Sequence, residues 1–407
     1  MLATISYDEL MLVMVLAVAI PLVLALMPRV PIPASVVEIL AGIVVGPAVL
    51  GLVEADEAVD VLATLGVAFL LFLAGLELDF DQMRGRPLKL AGAGFGLSIA
   101  IGLILTVPLG LTDVIIDPVY VTVILSATAL GIVMPVLKDA GQTHSAFGRF
   151  VVVCCSVAEF GSIVLLSLLF TGSGGGGVFA GVAKLGLLVL GVLAIAFATS
   201  RAGRFPRLDE VVYRLQDTSA QIRIRAAVLL LLALLVLSQD LKFDAILGAF
   251  LAGALLAAIT DPERDEAFGH FRTKLEGIGF GFFVPVFFVA TGLRFPIDAL
   301  LSDASALLRV PLFLVLLLVA RGVPAFVLRH DMGRRQVVAA GLLQATSLSF
   351  IVVATEIGVK IGEVRPINAA SLVAAGMLSV LIFPGLSLAI LRRDSRASAP
   401  TQESTPD

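Results

Sequence analysis

The sequence predicts an all-helical membrane protein that crosses the bilayer about thirteen times. Of its 407 residues, 59% are hydrophobic and only 15% are charged, whereas soluble domains average about 25% charged residues. Apolar stretches of about 17 to 25 residues recur along the chain, which is the length that a helix needs to span a bilayer. The alternating pattern of a membrane β-barrel is absent from the sequence.

The predicted spans follow one another closely and are joined by polar loops. They cover residues 11–27, 35–51, 59–76, 88–110, 119–137, 147–171, 177–199, 224–241, 243–259, 275–292, 303–328, 335–357 and 367–391. The first span is preceded by Asp8 and Glu9 rather than by a basic segment. We therefore expect it to be a retained helix and not a cleaved signal peptide.

The loops on alternate sides of the membrane differ strongly in positive charge. If the C-terminal Arg392, Arg393 and Arg396 are cytoplasmic, most of the 28 lysine and arginine residues fall on the cytoplasmic side. Because positively charged loops stay in the cytoplasm, this pattern predicts a multi-pass protein of the cell (inner) membrane with its N-terminus outside. Residues 394–407 are predicted to form a disordered cytoplasmic tail.

Three segments of the first half recur in the second half in the same order. "LFLAGLELDF" (71–80) matches "FFVATGLRFP" (287–296), "ATALGIVM" (127–134) matches "ATSLSFIV" (345–352), and "RFVVVCCSVAE" (149–159) parallels "RPINAASLVAA" (365–375). Each match joins helices an odd number of spans apart, so the second half is predicted to lie upside down relative to the first. Inverted repeats of this kind are typical of secondary transporters.

The matched segments 127–134 and 345–352 belong to the spans least suited to a continuous helix. Irregular backbone at membrane depth is tolerated only where protein or a water-filled cavity satisfies it. We predict two broken helices that cross near the midplane, whereas the alternative is that small polar residues only allow close helix packing. The positions concerned are Ser126, Thr128, Gly131 and Pro135 in the first span and Gln344, Thr346, Ser347 and Ser349 in the second.

Glu159 is a carboxylate in the middle of an apolar span, within "CCSVAEFGSIV" (154–164). It follows Arg149 by about 15 Å of helix, which is half of a hydrocarbon core about 30 Å thick. A charge at that depth is costly and usually functional, so we predict that Glu159 holds either a proton or a monovalent cation. Ser156, Thr128 and Ser126 are candidate oxygen ligands. The alternative is a structural acid hydrogen-bonded between helices.

Arg321 is the other charge predicted to lie at midplane depth. An arginine remains protonated, so its side chain must face a partner or the carbonyl groups at helix C-termini. We predict that it gives electrostatic support to the ends of the broken helices. A direct contact with Glu159 is the alternative.

Several of these segments resemble the monovalent cation:proton antiporter superfamily, in the branch of bacterial sodium/proton exchangers and glutathione-gated potassium-efflux systems. They are "EILAGIVVGP" (38–47), "FLAGLELDF" (72–80), "LSATALGIVMPVLKDAG" (125–141) and "LGAFLAG" (247–253). The resemblance extends over residues 11–391 and implies a sodium/proton-antiporter-like fold for a transmembrane domain of residues 1–393. It also implies that the span containing Glu159 is the ion-binding helix, with Arg321 where the family places a lysine or arginine facing it.

The resemblance further implies two groups of helices with different roles. A core group would comprise about 59–171 and 275–391, and a dimerisation or scaffold group about 11–51 and 177–259. The family pattern implies elevator-like alternating access and a homodimer. The cytosolic nucleotide-binding domain of potassium-efflux relatives is not expected, because the chain ends soon after its last span.

The sequence departs from the family at the ion-binding position. Family members usually carry two polar residues there, where this chain has Ala158 and Glu159. One titratable group predicts the exchange of one cation for one proton, and hence electroneutral transport.

We therefore predict a secondary transporter that exchanges Na⁺ or K⁺ for H⁺ and needs no cofactor and no nucleic-acid partner. An enzyme is not expected, because the sequence offers no cluster of metal ligands and no phosphate-binding loop. Two alternatives remain open. One is a sodium-coupled carrier of an organic anion on the same fold, and the other is a membrane scaffold that transports nothing.

Overall fold

The computed structural model of the chain describes residues 7–26, 33–78, 83, 85–143, 145–171, 183, 185–188, 190–191, 221–241, 243–260, 266–301 and 304–397. These residues form helices and turns, and no β-strand occurs among them. Most of the predicted span 177–199 lies outside the described residues, as does the part of the predicted tail from residue 398 onward.

Sixteen helices are defined here within the described residues. The first seven are α1 (Asp8–Leu26), α2 (Ala34–Val45), α3 (Glu57–Leu76), α4 (Arg86–Leu111), α5 (Pro118–Ser126), α6 (Leu130–Asp139) and α7 (Ala146–Leu166). The next five are α8 (Ile222–Asp240), α9 (Ala245–Ile259), α10 (Glu266–Ile278), α11 (Val284–Leu293) and α12 (Ile297–Leu301). The last four are α13 (Ala304–Gly322), α14 (Arg334–Gln344), α15 (Ser349–Lys360) and α16 (Pro366–Ala397).

These helices account for twelve of the predicted spans. Ten helical stretches of the described chain are long and apolar enough to cross a membrane, and α2 and α9 are shorter apolar helices. Several stretches combine consecutive helices, such as Pro118–Lys138 and Arg334–Lys360. The all-helical, multi-pass architecture is therefore confirmed, and the number thirteen stays a prediction.

The second predicted span, 35–51, is too long at its C-terminal end. The helix α2 ends at Val45, and Gly46 has extended backbone angles (φ −69°, ψ 177°). Gly46 precedes Pro47, and a residue before proline is sterically excluded from the helical region. The chain then turns back on itself, with the Gly51 N–H donating to the Gly46 carbonyl at 2.8 Å. Hydropathy alone extended the span across this turn.

Contacts divide the chain into two compact units, each described by itself. The first consists of Met1–Asp81 with Phe160–Asp303, and the second of Gln82–Glu159 with Ala304–Asp407. In the first unit α3 packs on α9 and α11, and α2 packs on α11. In the second unit α16 packs on α13 and α14, and α4 packs on α5. The division into core and dimerisation helices stays a prediction.

The helices α3 and α9 of the first unit approach each other backbone to backbone. A Cβ atom added at Gly253 would lie 1.9 Å from the Phe72 carbonyl oxygen, and one added at Gly75 would lie 2.1 Å from the Phe250 carbonyl oxygen. Small residues allow such close packing in membranes, where apolar side chains gain little by leaving lipid for protein. These two glycines therefore set the distance between the helices.

We expect Gly253→Ala to lower the thermal stability of the purified protein in detergent. The added methyl group would meet main-chain atoms that cannot rotate away, and such overpacking typically costs about 1 to 3 kcal/mol. Gly277→Ala in α10 is the matched control, because a Cβ at Gly277 meets open space. Thermal unfolding followed by size-exclusion chromatography measures both variants. Equal stability of Gly253→Ala and the wild type would contradict the close packing of α3 and α9.

Candidate functional site

Two membrane-spanning segments of the second unit are interrupted by non-helical backbone. The helix α5 ends at Ser126 and α6 begins at Leu130, while α14 ends at Gln344 and α15 begins at Ser349. The prediction of two broken helices at these matched sequence positions is confirmed. At each break, two helix ends face each other across a short non-helical stretch, so their terminal N–H and C=O groups need partners outside their own helix.

Gly131 and Pro135 lie beyond the first break and not in it. Both belong to α6, so the prediction that these two residues lie in the helix break is wrong. The proline removes one hydrogen bond of the helix, because Pro135 has no N–H to donate to the Gly131 carbonyl. A carbonyl group in the first turn of α6 thus lacks its usual intrahelical donor.

The two breaks hold each other through direct hydrogen bonds. The Ala129 N–H donates to the Thr346 carbonyl at 3.1 Å, and the Thr128 hydroxyl donates to the Gln344 carbonyl at 2.6 Å. All four residues are buried. Backbone groups inside a bilayer must be satisfied by protein or by enclosed water, and these bonds do so at the point where the segments meet.

Glu159 reaches the start of α6 from the neighbouring helix α7. The Leu130 N–H donates to its Oε2 at 3.2 Å, and the side chain is only 5% exposed. Leu130 is the first residue of α6, so the carboxylate lies at the positive end of that helix dipole. A helix N-terminus favours a negative charge, which offsets part of the cost of an ionised acid in this environment.

Ser156 lies one turn before Glu159 on α7 and is also buried. Its Oγ has no hydrogen-bond partner among the described residues, which is unusual because buried hydroxyl groups are nearly always bonded. A hydroxyl oxygen with both lone pairs open is a suitable ligand for a hard cation. Ser126 differs, since its hydroxyl donates to the Thr122 carbonyl within α5 at 2.7 Å.

Arg321 is 1% exposed and is held by two hydroxyl groups. Its Nε and one Nη donate to Thr128 Oγ1 at 3.0 and 2.8 Å, and the other Nη donates to Ser98 Oγ at 3.0 Å. Thr128 follows the end of α5, and its hydroxyl is bonded to the last residue of α14. The guanidinium group therefore lies near the C-terminal ends of two half-helices, where a positive charge is favourable.

The second break is fastened to α16. The Ser347 N–H donates to Ser379 Oγ at 3.1 Å, and that hydroxyl lies 3.1 Å from the Ser347 carbonyl. Thr346 Oγ1 donates back to the Leu342 carbonyl at 3.1 Å. The Gln344 Nε2 and the Ser347 Oγ are buried without a hydrogen-bond partner in the described part of the chain.

Hydrogen bonds connect some of the predicted site residues in two separate groups. Arg321, Thr128 and Gln344 are bonded in that order, while the Ala129 N–H donates to the Thr346 carbonyl and the adjacent Leu130 N–H donates to Glu159. Ser349 only begins α15. Sequence reasoning missed Ser98 and Ser379, because single serines in apolar helices are common and give no sign of which neighbour they contact.

Comparison with known proteins supplies independent information. A family model described as "Sodium/hydrogen exchanger, transmembrane" matches residues 13–393. The "Putative Na(+)/H(+) antiporter YjbQ" of Bacillus subtilis is 29% identical over 93% of this chain and 62% of its own length. The "Probable Na(+)/H(+) antiporter 3" of Methanocaldococcus jannaschii is 26% identical over 88% of this chain and 90% of its own length.

Two further similarities concern a potassium-efflux protein and the fold. The "Glutathione-regulated potassium-efflux system protein KefC" of Klebsiella pneumoniae is 26% identical over 90% of this chain. The match spans 58% of that protein, so the chain covers less than two thirds of both KefC and YjbQ. The sodium proton antiporter MjNhaP1 from Methanocaldococcus jannaschii superposes with a TM-score of 0.67 at 16% identity, over 95% of this chain and 97% of that one. The two share a fold.

Proposed function

We propose, from the premise that the chain belongs to the transmembrane sodium/hydrogen exchanger family, that it exchanges a monovalent cation for a proton. Glu159 would be the group that the two ions share. Relatives named as Na⁺/H⁺ antiporters support this exchange reaction. The chain would act as a transporter and not as an enzyme, with Na⁺ or K⁺ and H⁺ as its substrates.

One observation carries the proposal: a buried carboxylate bound to the first N–H of a half-helix at a break in the membrane-spanning segment. Such a carboxylate can bind a proton, or it can ionise and bind a cation, but binding of one ion lowers its affinity for the other. Competition between the two ions for one site is enough for exchange, provided that the empty, charged site cannot cross the membrane. Movement of one ion inward then requires movement of the other outward.

The cation would be held by oxygen atoms around Glu159. The open hydroxyl oxygen of Ser156, one helical turn away, supports its assignment as a ligand. Alkali cations prefer such hard oxygen ligands, and a flexible set of carbonyl, hydroxyl and carboxylate oxygens suits them.

The stoichiometry follows from the number of titratable groups at this position. Where family members usually carry a pair of polar residues, the chain has Ala158 beside Glu159. A site with one carboxylate carries either one proton or one monovalent cation, so each cycle moves no net charge. We propose electroneutral exchange on this basis.

The choice between sodium and potassium is left to experiment. Relatives include a protein named "Na(+)/H(+)-K(+) antiporter GerN" from Bacillus cereus, 25% identical over 86% of this chain, as well as the potassium-efflux protein. We further propose that the protein lies in the inner membrane with its C-terminus in the cytoplasm, on the basis of the loop charges. The family resemblance supports two more proposals, a homodimer and elevator-like alternating access.

A transport assay with purified protein in liposomes tests the proposal. The vesicles contain a pH-sensitive dye and carry an imposed pH gradient, and Na⁺, K⁺ or Li⁺ is then added outside. We expect at least one cation to collapse the gradient, at a rate that is unchanged when the membrane potential is clamped with valinomycin and potassium. The clamp is used when Na⁺ or Li⁺ is the added cation, and the potassium activity is then the same on both sides of the membrane throughout.

Protein-free liposomes serve as the control for leakage. A gradient that persists with every cation between pH 6 and 9 would contradict exchange. Uptake of a labelled organic anion driven by sodium would favour the alternative carrier, in which Arg321 binds the anion. A rate that depends on the membrane potential would contradict electroneutrality while leaving cation/proton exchange intact.

A further inference from the structure

The hydroxyl group of Thr128 takes part in three hydrogen bonds, one as donor and two as acceptor. The hydroxyl hydrogen goes to the Gln344 carbonyl at 2.6 Å, and the oxygen accepts from Arg321 Nε at 3.0 Å and from an Arg321 Nη at 2.8 Å. A hydroxyl has one donor and two acceptor lone pairs. A positively charged guanidinium group already binds this oxygen and would repel a metal cation at the same atom, so the geometry differs from what the sequence-based assignment of Thr128 as an ion ligand requires.

We propose that Thr128 is a positioning residue that acts through Arg321. The expected effect on transport rests on the proposed exchange function, whereas the expected effect on stability does not. Its hydroxyl joins the guanidinium group to the end of α14, and Ser98 on α4 holds the other side of the same group. The side-chain oxygen of Thr128, a residue of the first break, thus links the guanidinium group of Arg321 to the second broken segment as well. Removal of that oxygen frees the guanidinium group to move.

The backbone near Arg321 has little freedom of its own. A Cβ added at Gly341 on α14 would lie 2.8 Å from the Gly322 carbonyl, so α13 and α14 touch directly beside Arg321. The position of the positive charge is therefore decided by the side chain and by its two hydroxyl partners. Both partners are neutral and fully buried, and each contributes hydrogen bonds to a charged donor, which are stronger than those between neutral groups.

Threonine suits this role better than a flexible polar residue would. Its branched Cβ restricts the side-chain rotamer, so the hydroxyl is already directed before Arg321 binds it. The Gln344 carbonyl belongs to the last turn of α14 and has no helical donor of its own. Thr128 supplies that donor and holds Arg321 with the same atom.

A double-mutant cycle between Thr128 and Arg321 tests the proposal. The variants are Thr128→Val, which keeps the shape and removes the hydroxyl, Arg321→Lys, and the combination of the two. Thr128→Ser should restore most of what Thr128→Val loses. Thr122→Val is the matched control, because Thr122 is a buried threonine on the same helix α5 whose hydroxyl pairs with Thr106 at 2.8 Å.

We measure the unfolding temperature in detergent and the KM and maximal rate of exchange in liposomes. Thr128→Val should lower the unfolding temperature and raise the KM for the cation about tenfold, the equivalent of a charge-assisted hydrogen bond. In the Arg321→Lys background the same change should have little further effect on either quantity, because coupled residues are not additive. Thr122→Val should leave KM unchanged.

Fully additive effects of the two substitutions would overturn the proposal, as would a Thr128→Ser variant as poor as Thr128→Val. Additive loss of cation affinity would indicate instead that Thr128 binds the ion. If Thr128→Val does not fold, Ser98→Ala removes a single bond to Arg321 and enters the same cycle. Absence of exchange by the wild type would refute the proposed function, while the unfolding temperatures still test whether Thr128 acts through Arg321.

Discussion

Glu159→Gln is expected to abolish cation-dependent collapse of a pH gradient. The amide keeps the size of the side chain and can still accept the hydrogen bond from Leu130 N–H, so the start of α6 should be undisturbed. It can neither release a proton nor balance the charge of a cation. Loss of a group that carries the proton typically costs about 10² to 10⁴ in rate, and the preceding residue, Ala158, offers no carboxylate in its place.

The liposome assay measures this variant against Glu159→Asp and Glu356→Gln. The aspartate keeps the charge on a shorter side chain, so we expect reduced exchange with a changed order of preference among Li⁺, Na⁺ and K⁺. Glu356 is a surface carboxylate paired with Lys360 on α15, and its replacement by glutamine should leave exchange near the wild-type level. Exchange that survives in Glu159→Gln would move the site elsewhere, with the buried Glu38 of α2 as the next candidate.

The interruption of the two helices could be predicted because its causes are local. Two segments with the same spacing of small and polar residues, around Thr128 and Thr346, recur in the two halves of the chain. The exact place of the first break could not be read in the same way. Pro135 is the strongest helix breaker in the segment, yet it lies inside α6. The break lies instead where the Ala129 N–H and the Thr128 hydroxyl donate to the other broken segment.

The partners of the charged residues could not be predicted. Ser98 lies 223 positions before Arg321 in the chain, and Thr128 lies 193 positions before it. Hydropathy locates a residue in depth but does not indicate which helix it faces. The role of Thr128 depends on three bonds to two such distant residues, so only the folded chain distinguishes a ligand from a positioning residue.

The repeat relates the two breaks, but their side chains differ in chemistry. The matched segments pair Glu159 with Ala375, so the second break has no carboxylate at the corresponding position. There the Ser379 hydroxyl binds the main-chain N–H of Ser347 instead. The two breaks therefore share their backbone form, but only the first has a carboxylate at its half-helix start. This asymmetry is what the proposed exchange of one ion at a time requires.

Replacement of Arg321 is expected to have the second large effect on transport, and its size should depend on the substitute. Arg321→Gln removes the positive charge near the C-terminal ends of α5 and α14 and leaves Thr128 and Ser98 with weaker bonds. We expect its exchange rate to fall by at least about 100-fold, because a hydrogen bond to a charged group contributes about 1.5 to 3 kcal/mol and Arg321 makes several of them. The liposome assay and the unfolding temperature measure this loss.

Arg321→Lys should retain part of the activity. A lysine supplies the charge, but it is a single point donor on a flexible chain and cannot reproduce the planar fork of arginine. It would therefore bind Thr128 or Ser98 well, but not both with the geometry seen here. We expect exchange reduced about tenfold, the cost of one charge-assisted hydrogen bond, with a lower unfolding temperature than the wild type.

Arg309→Gln is the control for both substitutions. Arg309 is on the same helix α13, is partly buried and also bonds a neutral partner, since its Nη1 donates to Asn368 Oδ1 at 2.7 Å. Its replacement should change exchange little, because it lies away from the two breaks. Equal losses in Arg309→Gln and Arg321→Gln would indicate a general effect of removing arginine from α13. Wild-type exchange by Arg321→Gln would show that the half-helix ends need no positive charge, and the electrostatic role of Arg321 would be refuted.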